Sequence, residues 1–375
     1  MESVVNGCIK KKIINFSPGP AKIPEEVLEI AQKELVDFQG HGLSVMEMSH
    51  RSKEFESIIF GAEKTVRELL DVPANYKVLF MQGGGAGQFS AVPLNLMRTG
   101  TADYLVSGSW SQAAAKEAKK YGTVHLVAPT PEKFGSVPDE SEWKFSDNSS
   151  YFYHCGNETV HGVELPTTFT SVPGHLPIVA DISSSLMSRK FDVSKYGMVF
   201  GGAQKNVGCA GVVLGIIRED LFGHARKECP SVLDYKLLDA HTSLYNTPPC
   251  FNVYVMGLVL NWIKKHGGLD AMDEMSQRKS SLIYSVIDKS NGFYYNPVDK
   301  RYRSRMNVPF RVGGVNGDEE LEKRFLQEAG KLHMVQLKGH RSVGGMRASL
   351  YNAVTVEETQ VLADFMQDFY DRNRV

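Results

Sequence analysis

Pro177-Ile178-Val179-Ala180-Asp181 is a short apolar run that ends on a carboxylate. Gly201-Gly202-Ala203-Gln204-Lys205-Asn206-Val207-Gly208 is a glycine-rich turn that sets a lysine between two further apolar runs, 24 residues after that acid. Short runs of this kind, rich in β-branched and aromatic residues and bounded by turn residues, read as strands. Working outward, seven of them fall at 76–81, 104–107, 124–128, 151–155, 177–180, 198–200 and 212–217, with helical or loop stretches between. The alternation predicts an α/β fold with a mostly parallel sheet between helices. Ligands of such sheets sit in the crevice outside the carboxyl ends of the strands, so the residues that follow each strand carry the functional reading.

Residues 253–266 show helical periodicity and stop at Gly267-Gly268, a pair suited to a left-handed C-terminal cap. The domain change is expected just after it. Beyond lie a long helix at 269–290, a strand at 306–312, a helix at 318–330, strands at 334–337 and 346–351, and a final helix. That helix opens on Thr355-Val356-Glu357-Glu358, a capping box. This predicts a smaller α+β C-terminal domain, and 375 residues suit two cores better than one.

The formal net charge of -1 gives no overall electrostatic footprint for nucleic acid or an anionic membrane surface. The longest apolar runs, 212–217 and 253–263, fall short of the ~18 to 20 residues of a membrane span. The first residues place Lys10, Lys11 and Lys12 after a weak apolar patch, the wrong order for a secretory signal, and read as a solvated arm. Five scattered cysteines without a Cys-x-x-Cys pair indicate neither a disulfide framework nor a metal site, which leaves reduced thiols and a cytoplasmic setting as the expectation.

Five strand ends supply chemistry. After 76–81 comes Gln82-Gly83-Gly84-Gly85-Ala86-Gly87-Gln88, whose bare backbone suits a phosphate at a helix start; the alternative is a flexible turn. No Lys-Ser or Lys-Thr follows for a P-loop, and Gln88 stands where a dinucleotide fingerprint needs its third glycine, so a mononucleotide-sized phosphate remains. Pro93 is expected to limit the helix that follows. Trp110, in Gly108-Ser109-Trp110, offers an indole to a flat aromatic ligand, or is simply a core tryptophan. Gly156-Asn157-Glu158-Thr159 presents the Thr159 hydroxyl, or is merely a polar turn. Asp181 would answer a pyridinium nitrogen, or cap the polar run Ser183-Ser184-Ser185. Lys205 is able to form a Schiff base once desolvation lowers its pKa, although one lysine among 42 basic residues is ordinarily a solvated one. Phosphate cradle, stacking ring, hydroxyl, acid and lysine together are the parts needed to hold pyridoxal phosphate.

Asn15-Phe16-Ser17-Pro18-Gly19-Pro20-Ala21, Met48-Ser49-His50-Arg51, the glycine loop continued to Phe89, Asn157-Glu158-Thr159, Gly202-Ala203-Gln204-Lys205-Asn206, Tyr245-Asn246-Thr247-Pro248-Pro249 and 339–349 (Gly339 to Ser349, with His340, Arg341 and Arg347) resemble the phosphoserine aminotransferases of class V, the animal-type members above all. The likeness runs nearly end to end. It implies the pyridoxal-phosphate fold type I, in which a large domain at 23–268 with a mostly parallel seven-stranded sheet is followed by a small domain at 269–375. Residues 1–22 would form an arm associated with the small domain. It also implies a homodimer with the cofactor near the subunit interface.

Position by position, the resemblance makes Lys205 the Schiff-base residue, Asp181 the partner of the pyridine nitrogen, Trp110 the stacking ring and Thr159 the donor to the ring hydroxyl. Gly85 and Ala86 would bind the cofactor phosphate through backbone amides, helped by Gln204, with Asn246 and Thr247 reaching it from the neighbouring subunit. Arg347 suits a bidentate grip on the substrate α-carboxylate, and His50, Arg51, His340 and Arg341 the substrate phosphate. Surface ion pairing is the ordinary alternative for any one of these arginines. The implied reaction is reversible amino transfer from glutamate to 3-phosphohydroxypyruvate in serine synthesis, with 4-phosphohydroxythreonine a further possible substrate. Two departures stand out: position 86 is Ala where bacterial members often carry an arginine, and Gly156 replaces an expected alanine. A lyase of the same fold and a non-enzymatic nucleotide-binding protein are the rival readings. The first would not need paired basic clusters, and the second would give Lys205 no role.

Overall fold

The computed structural model describes residues 13–374 in full and the backbone of residues 3–5 and 8–10, which form a hairpin, β1 (Ser3–Val5) and β2 (Cys8–Lys10). The expected solvated arm lies partly outside the described residues. The chain continues through β3 (Ile14–Asn15), α1 (Glu25–Lys33) and α2 (Lys53–Leu70), then enters the large sheet at β4 (Tyr76–Met81). There follow α3 (Gly84–Leu96), β5 (Thr101–Tyr104), α4 (Ser109–Ala118), β6 (Thr123–Leu126), β7 (Phe152–Cys155), a small hairpin of β8 (Asn157–Glu158) and β9 (Val163–Glu164), β10 (Ile178–Asp181), β11 (Met198–Gly202) and β12 (Val213–Arg218). Helices α5 (Tyr235–Ala240), α6 (Cys250–Lys265) and α7 (Gly268–Lys289) lead to β13 (Tyr294–Tyr295), β14 (Asn307–Val312), α8 (Glu319–Lys331), β15 (Met334–Val335), β16 (Met346–Ser349) and α9 (Val356–Asn373).

The seven strands of the large sheet run in the order β4-β12-β11-β10-β7-β5-β6. β12 runs antiparallel to the other six, which are parallel to one another. Side chains alternate between its faces as the pleat demands: Val199, Leu214 and Ile216 pack with α2 and α6, whereas Phe200, Val213 and Ile217 pack with α3 and α4. Both faces are therefore covered. The acid-tipped β10 is the central strand, and its register sets Asp181 opposite Cys155 and Phe200. A separate core joins Val308, Phe310, Met346, Phe325 and Phe369 of the C-terminal layer with Ile14 and Phe16.

Two expected strands sit differently. The runs at 104–107 and 124–128 pair instead as Thr101–Tyr104 and Thr123–Leu126. Asp103 hides the first of these from a hydropathy reading: it is buried, and its carboxylate accepts hydrogen bonds from Ser146, which meets the cost of placing it in a strand. Pro93 limits its helix without stopping it at once. It lies inside α3, where it has no amide to offer the Phe89 carbonyl one turn back, and the helix ends soon after it at Leu96. The expected left-handed stop is present at Gly267 and Gly268, with φ of 92° and 68°, as is the capping box of Thr355 and Glu358.

Candidate active site

The turn between β11 and β12 projects Lys205 over the carboxyl end of the sheet, where its Nζ donates to Thr159 Oγ1 at 2.7 Å and lies 5.8 Å from the centre of the Trp110 ring. Asp181 closes the adjacent strand, almost fully buried, with its Oδ1 accepting from Ser183 N at 2.9 Å and Ser183 Oγ at 2.6 Å. Burial pushes the Asp181 pKa up, against the lowering influence of the Lys205 cation and the Ser183 hydroxyl. Burial likewise pushes the Lys205 pKa down, opposed by the Asp181 charge. The acid and the amine are thus held in reach of each other's field in a low-dielectric site, an arrangement that tunes both for chemistry.

Gly83 and Gly84 adopt left-handed φ values of 86° and 63°, which turn the chain sharply into α3. Gly85 and Ala86 fall in the first turn of that helix, whose amides have no partner within it. A methyl group built on Gly85 would lie 3.8 Å from Asp181 Oδ2, so the helix start and the acid are neighbours. Free amides at a helix N-terminus fit a phosphate. Gln204 folds its side-chain amide back over Gly202, and its backbone carbonyl accepts from Ala21 N at 2.9 Å. Asn246, half-buried, and Thr247, exposed, lie in a loop whose Thr247 carbonyl accepts from Gln82 Nε2 at 3.3 Å, beside the same glycine turn.

Arg347, on β16 of the C-terminal layer, donates through Nη1 to the Thr159 carbonyl at 3.2 Å. Thr159 therefore joins Lys205 by its hydroxyl and Arg347 by its carbonyl. The Arg347 Nε is buried without a hydrogen-bond partner, an unanswered donor beside a reactive amine, which fits a carboxylate ligand. His340, in the loop before β16, shares a hydrogen bond of 2.7 Å with Ser342 Oγ; partial burial pulls its pKa down, and the Arg347 and Arg341 cations add to that. Arg341 is exposed. His50 and Arg51 precede α2, the former with a buried Nε2 that has no partner and the latter exposed, and among the described residues neither is hydrogen-bonded to Lys205, Asp181, Thr159 or Arg347.

Several positioning residues escape a sequence reading. Glu158 is fully buried and accepts from Trp110 N at 2.9 Å, Ser111 N at 2.8 Å and Ser111 Oγ at 2.6 Å, so a carboxylate from β8 caps α4 and sets the indole. Gly108 makes room for it, since a methyl group there would fall 2.4 Å from Glu158 Cδ. His161 bonds Ser109 Oγ at 2.8 Å through Nε2 and is pushed down to about 4, first by burial and then by the nearby His340.

A desolvated strand-end lysine paired with a buried acid is how aminotransferases of the pyridoxal-phosphate class prepare an amine for an aldehyde cofactor, and the comparisons with known proteins agree. The class-V aminotransferase family matches residues 13–362. The phosphoserine aminotransferase of Drosophila melanogaster is 56% identical over 96% of this chain and 100% of its own length. Among solved structures, the phosphoserine aminotransferase of Bacillus circulans is 43% identical with a TM-score of 0.92, covering 96% of this chain and 99% of the other. The PLP-bound enzyme of Trichomonas vaginalis is 39% identical with a TM-score of 0.91, covering 95% and 100%. The chain belongs to the class-V aminotransferase family, in its phosphoserine aminotransferase branch.

Proposed function

We propose that this chain is a pyridoxal-phosphate-dependent transaminase that moves an amino group reversibly from glutamate to 3-phosphohydroxypyruvate, giving phosphoserine and 2-oxoglutarate for serine synthesis. The observation that carries the reading is Thr159, which ties the Lys205 amine to the Arg347 guanidinium. Bound pyridoxal phosphate supplies an aldehyde that accepts the amino group and a ring that takes up the electrons left at Cα.

The protein's residues do the rest. Asp181 keeps the ring nitrogen protonated, Trp110 stacks on the ring and Thr159 bonds its hydroxyl. The first-turn amides of Gly85 and Ala86, with Gln204, hold the cofactor phosphate, completed by Asn246 and Thr247 of the partner subunit. Arg347 takes the substrate α-carboxylate, which brings Cα under Lys205 Nζ, and that amine removes and returns the proton there. His50, Arg51, His340 and Arg341 bind the far anion of either substrate: the side-chain carboxylate of glutamate in one half-reaction, the phosphate in the other. One basic site serving two anions fits a ping-pong exchange. 4-Phosphohydroxythreonine presents the same groups and is a further candidate substrate.

The proposal includes a homodimer, supported by exposed apolar side chains at Val36, Met46 and Phe60, and a cytoplasmic setting, supported by four unpaired cysteines at 155, 209, 229 and 250. It divides the chain into an arm at 1–22, a large domain at 23–268 and a small domain at 269–375. Among the described residues no helix is long and apolar enough to cross a membrane, and no cluster of metal-binding side chains occurs. The test is spectroscopic: the purified protein with pyridoxal phosphate shows a visible absorbance band that Lys205→Ala abolishes. A colourless wild type under the same conditions would contradict the reading.

A further inference from the structure

Tyr351 lies four residues beyond Arg347, just past the end of β16, and is 1% exposed. Its hydroxyl donates to the Pro18 carbonyl at 2.8 Å and accepts from Asn307 Nδ2 at 3.2 Å. A carbonyl can only accept, so the phenolic proton is committed to Pro18. Both contacts lead to the reactive lysine. Pro18 precedes Gly19, where a methyl group would touch Lys205 Cγ at 3.4 Å, and two residues further Ala21 N bonds the Gln204 carbonyl at 2.9 Å. On the other side, Asn307 Oδ1 accepts from Asn157 Nδ2 at 2.9 Å, two residues before Thr159, whose hydroxyl receives the Lys205 amine. The Tyr351 backbone is itself pinned: its carbonyl accepts from the buried Lys279 Nζ at 2.8 Å.

From this we infer that Tyr351 is a positioning residue for Lys205, clamping the 17–21 turn against the lysine's methylene stem while Asn307 and Asn157 fix the hairpin that carries Thr159. The phenol belongs to the C-terminal layer and the lysine to the large sheet, so the clamp ties the approach of the Lys205 amine to the seating of one layer on the other. Burial holds the phenol pKa above its ordinary value, and the group stays a donor throughout the working range.

The inference rests on Lys205 being the cofactor-binding amine. Its test compares Tyr351→Phe with Tyr294→Phe, a control that removes a similarly buried hydroxyl from the Met366 carbonyl 2.8 Å away, within the hydrophobic core of the C-terminal layer and with no hydrogen-bond path to the lysine among the described residues. After removal of the cofactor, each protein is given pyridoxal phosphate and the growth of the visible band is followed; the single-turnover reaction with glutamate is then measured. Tyr351→Phe is expected to slow both the band's growth and the maximal glutamate rate about tenfold, the effect of losing roughly one well-placed hydrogen bond, with half-saturation by glutamate unchanged because Arg347 keeps its bond to Thr159. Tyr294→Phe should match the wild type. Gly19→Ala, which disturbs the same turn from its other side at a φ of 134°, should slow band growth as Tyr351→Phe does. Wild-type behaviour in Tyr351→Phe, or equal slowing by Tyr294→Phe, would overturn the clamp while leaving the assignment of Lys205 intact. A wild type that forms no band would remove both.

Discussion

Lys205 and Asp181 work against each other's burial. The amine loses its charge more readily because it is desolvated, and the nearby carboxylate partly restores it. Capture of pyridoxal phosphate needs the neutral amine, so its rate in cofactor-free protein should rise with pH through a midpoint below that of an ordinary lysine. Replacing Asp181 by Asn removes the charge that raises the Lys205 pKa, so that midpoint should move to still lower pH. A pH profile of band growth in the two proteins checks the sign. Catalysis should move the other way. On the proposed role of Asp181 at the ring nitrogen, turnover in Asp181→Asn is expected to fall by roughly 10²–10³, the scale of losing one preorganised electrostatic partner.

These two residues were legible in the sequence because each ends or follows an apolar run, where a charged group is conspicuous. Glu158 was not. Its stretch reads as a solvated polar turn, yet the fold places it in β8 and buries it completely under the start of α4.

The elements divide by how locally they are determined. The stop after α6 and the cap of α9 are set by a glycine pair and by a threonine with a glutamate three residues on, so short stretches announce them. The edges of β5 and β6 depend instead on partners far along the chain, such as Ser146 beneath Asp103, and no local pattern reveals that. The start of α4 has the same character, because its cap comes from β8. Glu158→Ala would leave the amides of Trp110 and Ser111 without their acceptor, at ~1–3 kcal/mol for the buried Ser111 amide. Trp110 would lose its fixed placement, and cofactor affinity measured by titrating the visible band should weaken about tenfold or more, while Glu158→Gln, which keeps an acceptor, should weaken it less.

At the scale of the whole molecule, the C-terminal layer is held together internally by polar groups that the sequence hid among ordinary surface residues. Lys279 of α7 is 1% exposed and donates to the carbonyls of Tyr351 and Val354 at 2.8 and 2.7 Å. Burial, with help from the Lys22 cation, lowers its pKa to about 7. Above that pH the folded protein has released a proton that the unfolded chain still holds, up to the ordinary lysine value of ~10.4. Folding stability should therefore gain from this residue as pH rises between those limits, and the gain should be absent from Lys279→Met. Denaturant unfolding of both proteins at pH 7 and pH 9 measures the difference. The central claim joins the lysine to the basic residues proposed to choose a phosphorylated substrate. Amino transfer from glutamate to 3-phosphohydroxypyruvate, compared with transfer to the unphosphorylated keto acid, tests it most directly: the account predicts a strong preference for the phosphorylated acceptor, and equal rates would contradict it.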